Sequence, residues 1–302
     1  MNFINKKLKE YGIPKEELNR YNESHRFYHN MSHISDMIDS ANNKGIMTDD
    51  LFLAIIFHDI IYDPKVNDNE GRSAKLLWGY AQNYEVKEAI LETRDHKPKT
   101  RLGKQLCDLD TEILYGDFDK FIDFEHKIFK EYQWADYLTY KEKRIEILSR
   151  LCVNPEYINY VKYRNPKIAL YAGSFNPFSK GHYNILEKAE CVFDKVIIAK
   201  GVNLEKNNQS VELPMAVQGR QIENYEGLLT DFINSFKYDI TLVRGLRNAT
   251  DLQYELTQYR FLQDLSPNIK VVSFFCDREY EHVSSSAIRN LELYNKEERY
   301  LL

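Results

Sequence analysis

The run Gly173-Ser-Phe-Asn-Pro-Phe-Ser-Lys-Gly-His182 combines two glycines with an imidazole. Gly173 permits a tight turn, and Gly181 lets the backbone approach a phosphate closely. A helix opening near Gly181 would present unpaired N–H groups and its positive dipole end to an anion, with His182 placed to donate to phosphate oxygens. The glycine spacing fits neither a Walker A loop nor a GxGxxG fingerprint. Two further segments carry compatible chemistry. Val243-Arg-Gly-Leu-Arg247 follows an apolar run and delivers two guanidiniums, which suit forked phosphate contacts. Val283-Ser-Ser-Ser-Ala-Ile-Arg289 places Ser284, Ser285 and Ser286 at a helix start, where hydroxyls and N–H groups can cradle distal phosphates.

The N-terminal half carries different chemistry. His25, His29 and His33 lie four apart, which on a helix places them on one face. His58-Asp59 closes the apolar run Leu51 to Phe57. An adjacent His and Asp in such a setting are costly to bury without a partner. A divalent metal would supply one, because imidazole and carboxylate suit Zn, Mn or Fe. Asp108 and Asp110, in Leu106-Cys-Asp-Leu-Asp110, could close the shell.

Two kinds of periodicity position these groups. Up to residue 160 the pattern is helical. Ile34, Met37, Ile38 and Ala41 recur at helix spacing, as do Leu51, Ala54, Ile55 and Phe57, and Asp119–Trp134 and Tyr140–Leu151 read as amphipathic helices. After Asn165-Pro166 strand and helix alternate. Strands are expected at Lys167–Ala172, Lys195–Ala199, Asp239–Val243 and Lys270–Phe275, with helices at Gly181–Phe193 and Asp251–Leu265. That alternation implies a Rossmann-like α/β domain with a parallel sheet, whose strand C-terminal ends hold all three phosphate-oriented segments. The expected architecture is an all-α domain over 1–160 followed by an α/β domain over 166–302.

Composition narrows the function. The 302 residues are 43% hydrophobic and 29% charged, a globular mix with enough apolar residues for real cores. Lys and Arg total 41 against 46 Asp and Glu, a net charge of −5, and no basic stripe interleaved with aromatics is present. This argues against a nucleic-acid partner. Four cysteines without CxxC spacing point to a reduced, cytoplasmic setting. The start of the chain shows no signal-peptide pattern, and no apolar run suffices for a membrane span.

The first half resembles the HD superfamily of metal-dependent phosphohydrolases. The resemblance runs through Tyr21-x-x-x-His25-Arg26-x-Tyr28-His29-x-x-x-His33, Phe57-His58-Asp59-x-x-Tyr62-Asp63-Pro64 and Asn69-Glu70-x-x-Ser73-Ala74, over roughly residues 15 to 150. It implies His33, His58, Asp59 and Asp110 as ligands of Mn²⁺, Zn²⁺, Fe²⁺ or Mg²⁺. Spacing alone does not choose between His29 and His33, or between Asp108 and Asp110. His96 falls where a further His stands near the substrate or a second metal in that family.

The second half resembles the Gly-His nucleotidyltransferases, and more narrowly the phosphopantetheine adenylyltransferases, over about residues 167 to 293. Besides Gly173–His182, the matching elements are Lys206, Arg244-Gly-Leu-Arg247…Asp251-Leu-Gln-Tyr254-Glu255, Gly227-Leu-Leu-Thr-Asp-Phe232 and Val283-Ser-Ser-Ser286. The resemblance implies transfer of AMP from ATP, carried with Mg²⁺, to 4′-phosphopantetheine. His182, Lys206 and Arg244 would be catalytic. Ser174, Phe175, Gly245, Leu246, Arg247, Glu255, Tyr280 and Ser284 to Ser286 would bind ATP alongside His182. Ser174, Lys206, Leu229 and Arg244 would bind the acceptor. Asn176 stands where that family has Asp, Leu262 where it often has Asn, and Tyr280 where it has Trp. The expected function is therefore a bifunctional enzyme with small-molecule substrates, and self-association stays open. Transfer to another phosphorylated acceptor, such as nicotinamide mononucleotide, is one alternative. A non-catalytic nucleotide-sensing scaffold is another.

Overall fold

The protein's structure, a computed structural model, describes residues 2–202 and 212–302. It divides into two compact units. One comprises Met1–Tyr132 and Lys141–Tyr163, the other Gln133–Tyr140 and Arg164–Leu302. The sequence expectation of contiguous domains over 1–160 and 166–302 thus differs over Gln133–Tyr140, and the reason is local. Lys195, 1% exposed, donates through Nζ to the carbonyls of Gln133 (2.5 Å) and Ala135 (2.8 Å). The Gln221 amide also donates to the Gln133 carbonyl, and the Tyr238 hydroxyl to Asp136. Burial pushes the Lys195 amine down to about 7, against the opposing pull of Asp136 and Glu223.

The first unit contains α1 (Asn2–Glu10), α2 (Met31–Asn43), α3 (Asp49–Phe57), α4 (Asn69–Tyr80), α5 (Tyr84–Glu92), α6 (Arg101–Asp110) and α7 (Phe118–Glu131). Then follow α8 (Tyr137–Arg150), which belongs to this unit from Lys141 onward, and α9 (Pro155–Tyr163). Helix α3 starts where the Thr48 hydroxyl accepts the Leu51 N–H, and every residue from Leu51 to Phe57 is buried. A helix that is apolar all round must sit at the centre of its unit. Ile34, Met37, Ile38 and Ala41 of α2 join it in one core.

His25 and His29 precede α2 and are not helical, so the one-face reading of the three histidines does not hold. The Asn30 side chain accepts the Ser32 N–H and starts the helix there. Upstream, the buried Glu131 carboxylate takes the N–H groups of Phe27, Tyr28 and His29 at 2.7–3.0 Å. Those donors are satisfied without a helix.

The second unit contains β1 (Ile168–Gly173), α10 (Lys180–Glu190), β2 (Lys195–Gly201), β3 (Ile222–Tyr225), α11 (Leu229–Ser235) and β4 (Ile240–Leu246). It ends with α12 (Ala249–Leu265), β5 (Lys270–Phe275) and α13 (Ser285–Glu292). The sheet order is β3-β2-β1-β4-β5, with every pairing parallel. The chain leaves β1 toward β2 on one side and returns to β4 on the other. Such a reversal opens a crevice at the strand C-terminal ends. Strands β1 and β2 are almost wholly buried, as befits central parallel strands. Among the described residues, no helix is long and apolar enough to cross a membrane.

Candidate functional site

In the helical unit, His33 of α2, His58 and Asp59 just past α3, and Asp110 at the end of α6 converge. One ligand atom from each lies within 4.8 Å of all the others. The side chains are in contact: His33 Nε2 is 3.1 Å from Asp110 Oδ1, and His58 Nε2 is 3.0 Å from Asp59 Oδ2. His58 Nδ1 engages the Ile55 carbonyl at 2.9 Å as donor, which turns Nε2 toward the carboxylates. That Nε2 is buried and makes no well-directed hydrogen bond. Burial opposes a charge on His58, yet Asp59 and Asp110 outweigh it and hold the imidazole well above its usual value. Asp110 is likewise held well below the ordinary carboxylate range against its burial, by hydrogen bonds from His33 and His96 and by the charge of nearby His58. Two carboxylates and two imidazole nitrogens around a buried, unsatisfied donor position match the ligand chemistry of a divalent cation.

The alternatives left open by spacing fall elsewhere. Asp108 is exposed and pairs with Lys104 at 2.9 Å. His29 engages Glu131 through Nδ1 at 2.6 Å and stacks on Tyr62. His96, held in a left-handed backbone conformation (φ 51°), contacts the other carboxylate oxygen of Asp110, Oδ2, at 2.9 Å. Two residues to which sequence alone assigned no role position the cluster. Buried Arg26 donates to the carbonyls of His29, Asp59 and Ile60, fastening the His58-Asp59 segment to the loop before α2. Glu131 also accepts from the Tyr62 hydroxyl, and despite burial its partners His29 and the loop amides bring it to about 2. Arg26 is part of the His25–His33 pattern, but spacing alone gives it no partner. Glu131 has no sequence signal, because its partners are a hundred residues away.

In the α/β unit, the Ser179 side chain accepts the His182 N–H and caps α10, while His182 Nδ1 accepts the Ser179 N–H at 3.0 Å. This reciprocal capping box fixes the imidazole tautomer: with Nδ1 accepting, the ring proton sits on Nε2, the remaining donor. The ring packs edge-on against Phe175 and lies beside Phe178. Burial, reinforced by the Arg247 charge, pushes His182 down to about 4, so it is a neutral donor at pH 7. Ser179 carries a sequence signal for this role, since a serine three residues before a helix-start side chain that can reach back is a capping pattern.

Arg244, at the end of β4, makes a two-pronged contact with Glu255 (2.6 and 2.9 Å) and a longer one to the Ala172 carbonyl. Arg247 forks onto Asp251 and reaches the Val283 carbonyl. Ser284 caps α13 by accepting the Ala287 N–H, Ser285 donates to the Pro177 carbonyl at 3.1 Å, and Arg289 contacts the Ser286 hydroxyl and the Asn176 carbonyl. The Gly-His loop and the serine segment are therefore tied together. Tyr280 lies over Gly181, its Cβ 3.7 Å from where a Gly181 Cβ would stand. Ser174 is exposed, and Leu229 is half-buried at the start of α11.

Three residues expected to bind ATP offer no exposed side chain. Phe175 is 1% exposed, with its φ at 46°, and its ring sits where a Cβ on Gly173 would clash at 2.9 Å. It backs His182 rather than forming an open wall. Leu246 is 1% exposed, and Gly245 is small because Ile185 Cγ1 would lie 2.9 Å from its Cβ. Any ligand contact at these two positions is through main chain. Lys206 lies outside the described residues.

A cytidylyltransferase-like family model matches residues 170–291. The chain is 40% identical over 145 residues to a phosphopantetheine adenylyltransferase of Mycoplasma capricolum, covering 43% of this chain and 99% of that protein. It is 31% identical over 140 residues to the Clostridium perfringens enzyme of the same name (43% of this chain, 85% of that protein). It is 34% identical over 137 residues to that of Clostridium botulinum (42% and 83%). Through its C-terminal region, the chain belongs to the phosphopantetheine adenylyltransferase family.

Proposed function

We propose that the α/β unit transfers AMP from Mg²⁺-bound ATP to 4′-phosphopantetheine, giving dephospho-coenzyme A and pyrophosphate. An oxygen of the acceptor's phosphate attacks the α-phosphorus of ATP, and the bond to the β-phosphate breaks. No covalent enzyme intermediate is required, so the protein contributes positioning and charge stabilisation. His182 donates from Nε2 to the phosphoryl group in flight. Lys206, Ser174 and Arg244 hold the attacking phosphate, with Leu229 on the pantetheine side. Arg247 and Ser284 to Ser286 hold the departing diphosphate, while Glu255 and Tyr280 line the nucleotide side. The observation that carries this reading is the fixed Nε2–H of His182 at the helix start, tied to the serine segment, in a region similar to enzymes of that name. Purified protein with ATP, Mg²⁺ and 4′-phosphopantetheine should release pyrophosphate, and His182→Ala should not. Equal release by both proteins would end the reading. Turnover with nicotinamide mononucleotide alone would reassign the acceptor, and ATP binding without turnover on any acceptor would favour the sensing scaffold.

For the helical unit, a second reading rests on the His33–His58–Asp59–Asp110 cluster. It is a metal-dependent phosphohydrolase of HD type. A bound divalent ion would supply an acidified water and polarise a phosphoryl oxygen. The chain's own part is to fasten the His58-Asp59 segment through Arg26 and to keep His96 at Oδ2 of Asp110. A phosphatase panel with Mn²⁺, Zn²⁺ or Fe²⁺ tests it. Asp59→Asn should abolish any turnover, while a panel without metal-dependent turnover removes the catalytic claim.

A further inference from the structure

Helix α10 carries His182 near its start and Asn184 two residues further on. Asn184 is 9% exposed and reaches the segment that links β5 to the serine-bearing α13. Its Oδ1 accepts the Asp277 N–H at 3.0 Å, and its Nδ2 donates to Asp277 Oδ2 at 2.7 Å. The backbone donor fixes the amide orientation, since only an oxygen can accept there. One turn along, Lys188 Nζ donates to the other Asp277 oxygen at 2.7 Å and to the Phe275 carbonyl at 2.6 Å. The start of the serine loop is thus gripped at its main chain and at both carboxylate oxygens of Asp277. All the gripping groups belong to the helix that bears His182.

We infer that Asn184, acting through Asp277 and braced by Lys188, is a positioning residue that sets the separation between His182 and the Ser284–Ser286 segment. This rests on the proposed adenylyl transfer. There His182 and the serines act on opposite sides of the bond that breaks, His182 on the phosphoryl group and the serines on the leaving diphosphate. Slack between them leaves the acceptor's binding intact but misaligns the reacting and departing groups. Misplacement by about 1 Å can cost on the order of 100-fold in rate.

The test is a swap. Asn184→Asp sets two carboxylates face to face and should lower kcat at least about tenfold, with KM for 4′-phosphopantetheine within about twofold. Adding Asp277→Asn lets the new amide at 277 donate to the new carboxylate at 184, which restores the side-chain hydrogen bond with its polarity exchanged while the main-chain N–H bond is kept, and should recover kcat to within about threefold of the starting protein. ATP affinity by calorimetry should follow the same order, weakened in the single variant and restored in the double. If the double variant is no better than Asn184→Asp in rate or ATP affinity, the inference is overturned. The same holds if the single variant raises KM for the acceptor as much as it lowers kcat. If the unaltered protein releases no pyrophosphate, the activity reading fails, and the ATP affinities of the two variants still decide for or against the brace.

Discussion

The half-buried neutral imidazole of His182 makes a quantitative prediction about pH. Its ordinary value is 6.5, and in the folded protein it lies at about 4. As pH falls through 6.5 the unfolded chain takes up a proton that the folded protein refuses until about pH 4. The unfolded state binds more protons in that window, so stability falls as the solution is acidified from neutrality to pH 4. A difference of this size corresponds to about 3 kcal/mol at most, and solvent reaching one edge of the ring trims it to about 2 kcal/mol. His182→Asn removes the titrating group. Hydrogen exchange of the β1 amides reports opening of the α/β unit without interference from the helices. Comparing the two proteins at pH 7 and pH 4.5 cancels the contribution of every other group common to both. The opening free energy should fall more in the unaltered protein than in the variant, by about 1–2 kcal/mol. An equal fall in both would refute the claim that Ser179, Phe175 and Phe178 hold a neutral ring, and with it the role of His182 as a fixed Nε2 donor.

Other consequences are equally measurable. Lys195 is held at about 7, below its ordinary 10.5, so the unfolded chain binds more protons above pH 7 and stability should rise with pH there. A gain of about 1–2 kcal/mol between pH 7 and 9 should vanish in Lys195→Met, read from the same exchange experiment. Gly245→Ala forces a methyl against Ile185 and should cost about 1–3 kcal/mol of stability in denaturant unfolding, with a smaller loss when Ile185→Ala is already present. Calorimetric titration with Mn²⁺ should show one ion bound per chain at the helical cluster, lost in His58→Ala and retained in Asp108→Ala; binding that survives His58→Ala would disprove the cluster as the metal site.

Much of the arrangement could be read from local pattern. Leu51 to Phe57 is an unbroken apolar run, and nothing but a central helix accommodates it. The strand at Ile168–Gly173 and the glycine-bounded turn after it were legible for the same reason: burial on both faces and a sharp change of direction leave compositional marks. Strand β3, Ile-Glu-Asn-Tyr, left none, because its four residues do not alternate and it is recruited by pairing with β2. The histidines at 25 and 29 misled because helical spacing was present without a helix. The competing hydrogen-bond acceptor, Glu131, is supplied from far along the chain.

The amino-acid order alone determined which chemistry was available: imidazole beside glycine at a helix start, paired guanidiniums after a strand, and a His-Asp doublet closing an apolar helix. Those are properties of residue type and short spacing, which local geometry converts directly into placement. Only the folded chain decided which of the candidates act together. It separated Asp110 from Asp108, turned Leu246 and the Phe175 ring into core, and enlisted Arg26, Ser179 and Asn184. Such choices depend on which side chains meet across distant segments and on which of them burial leaves without water, and neither is encoded in any single stretch of sequence.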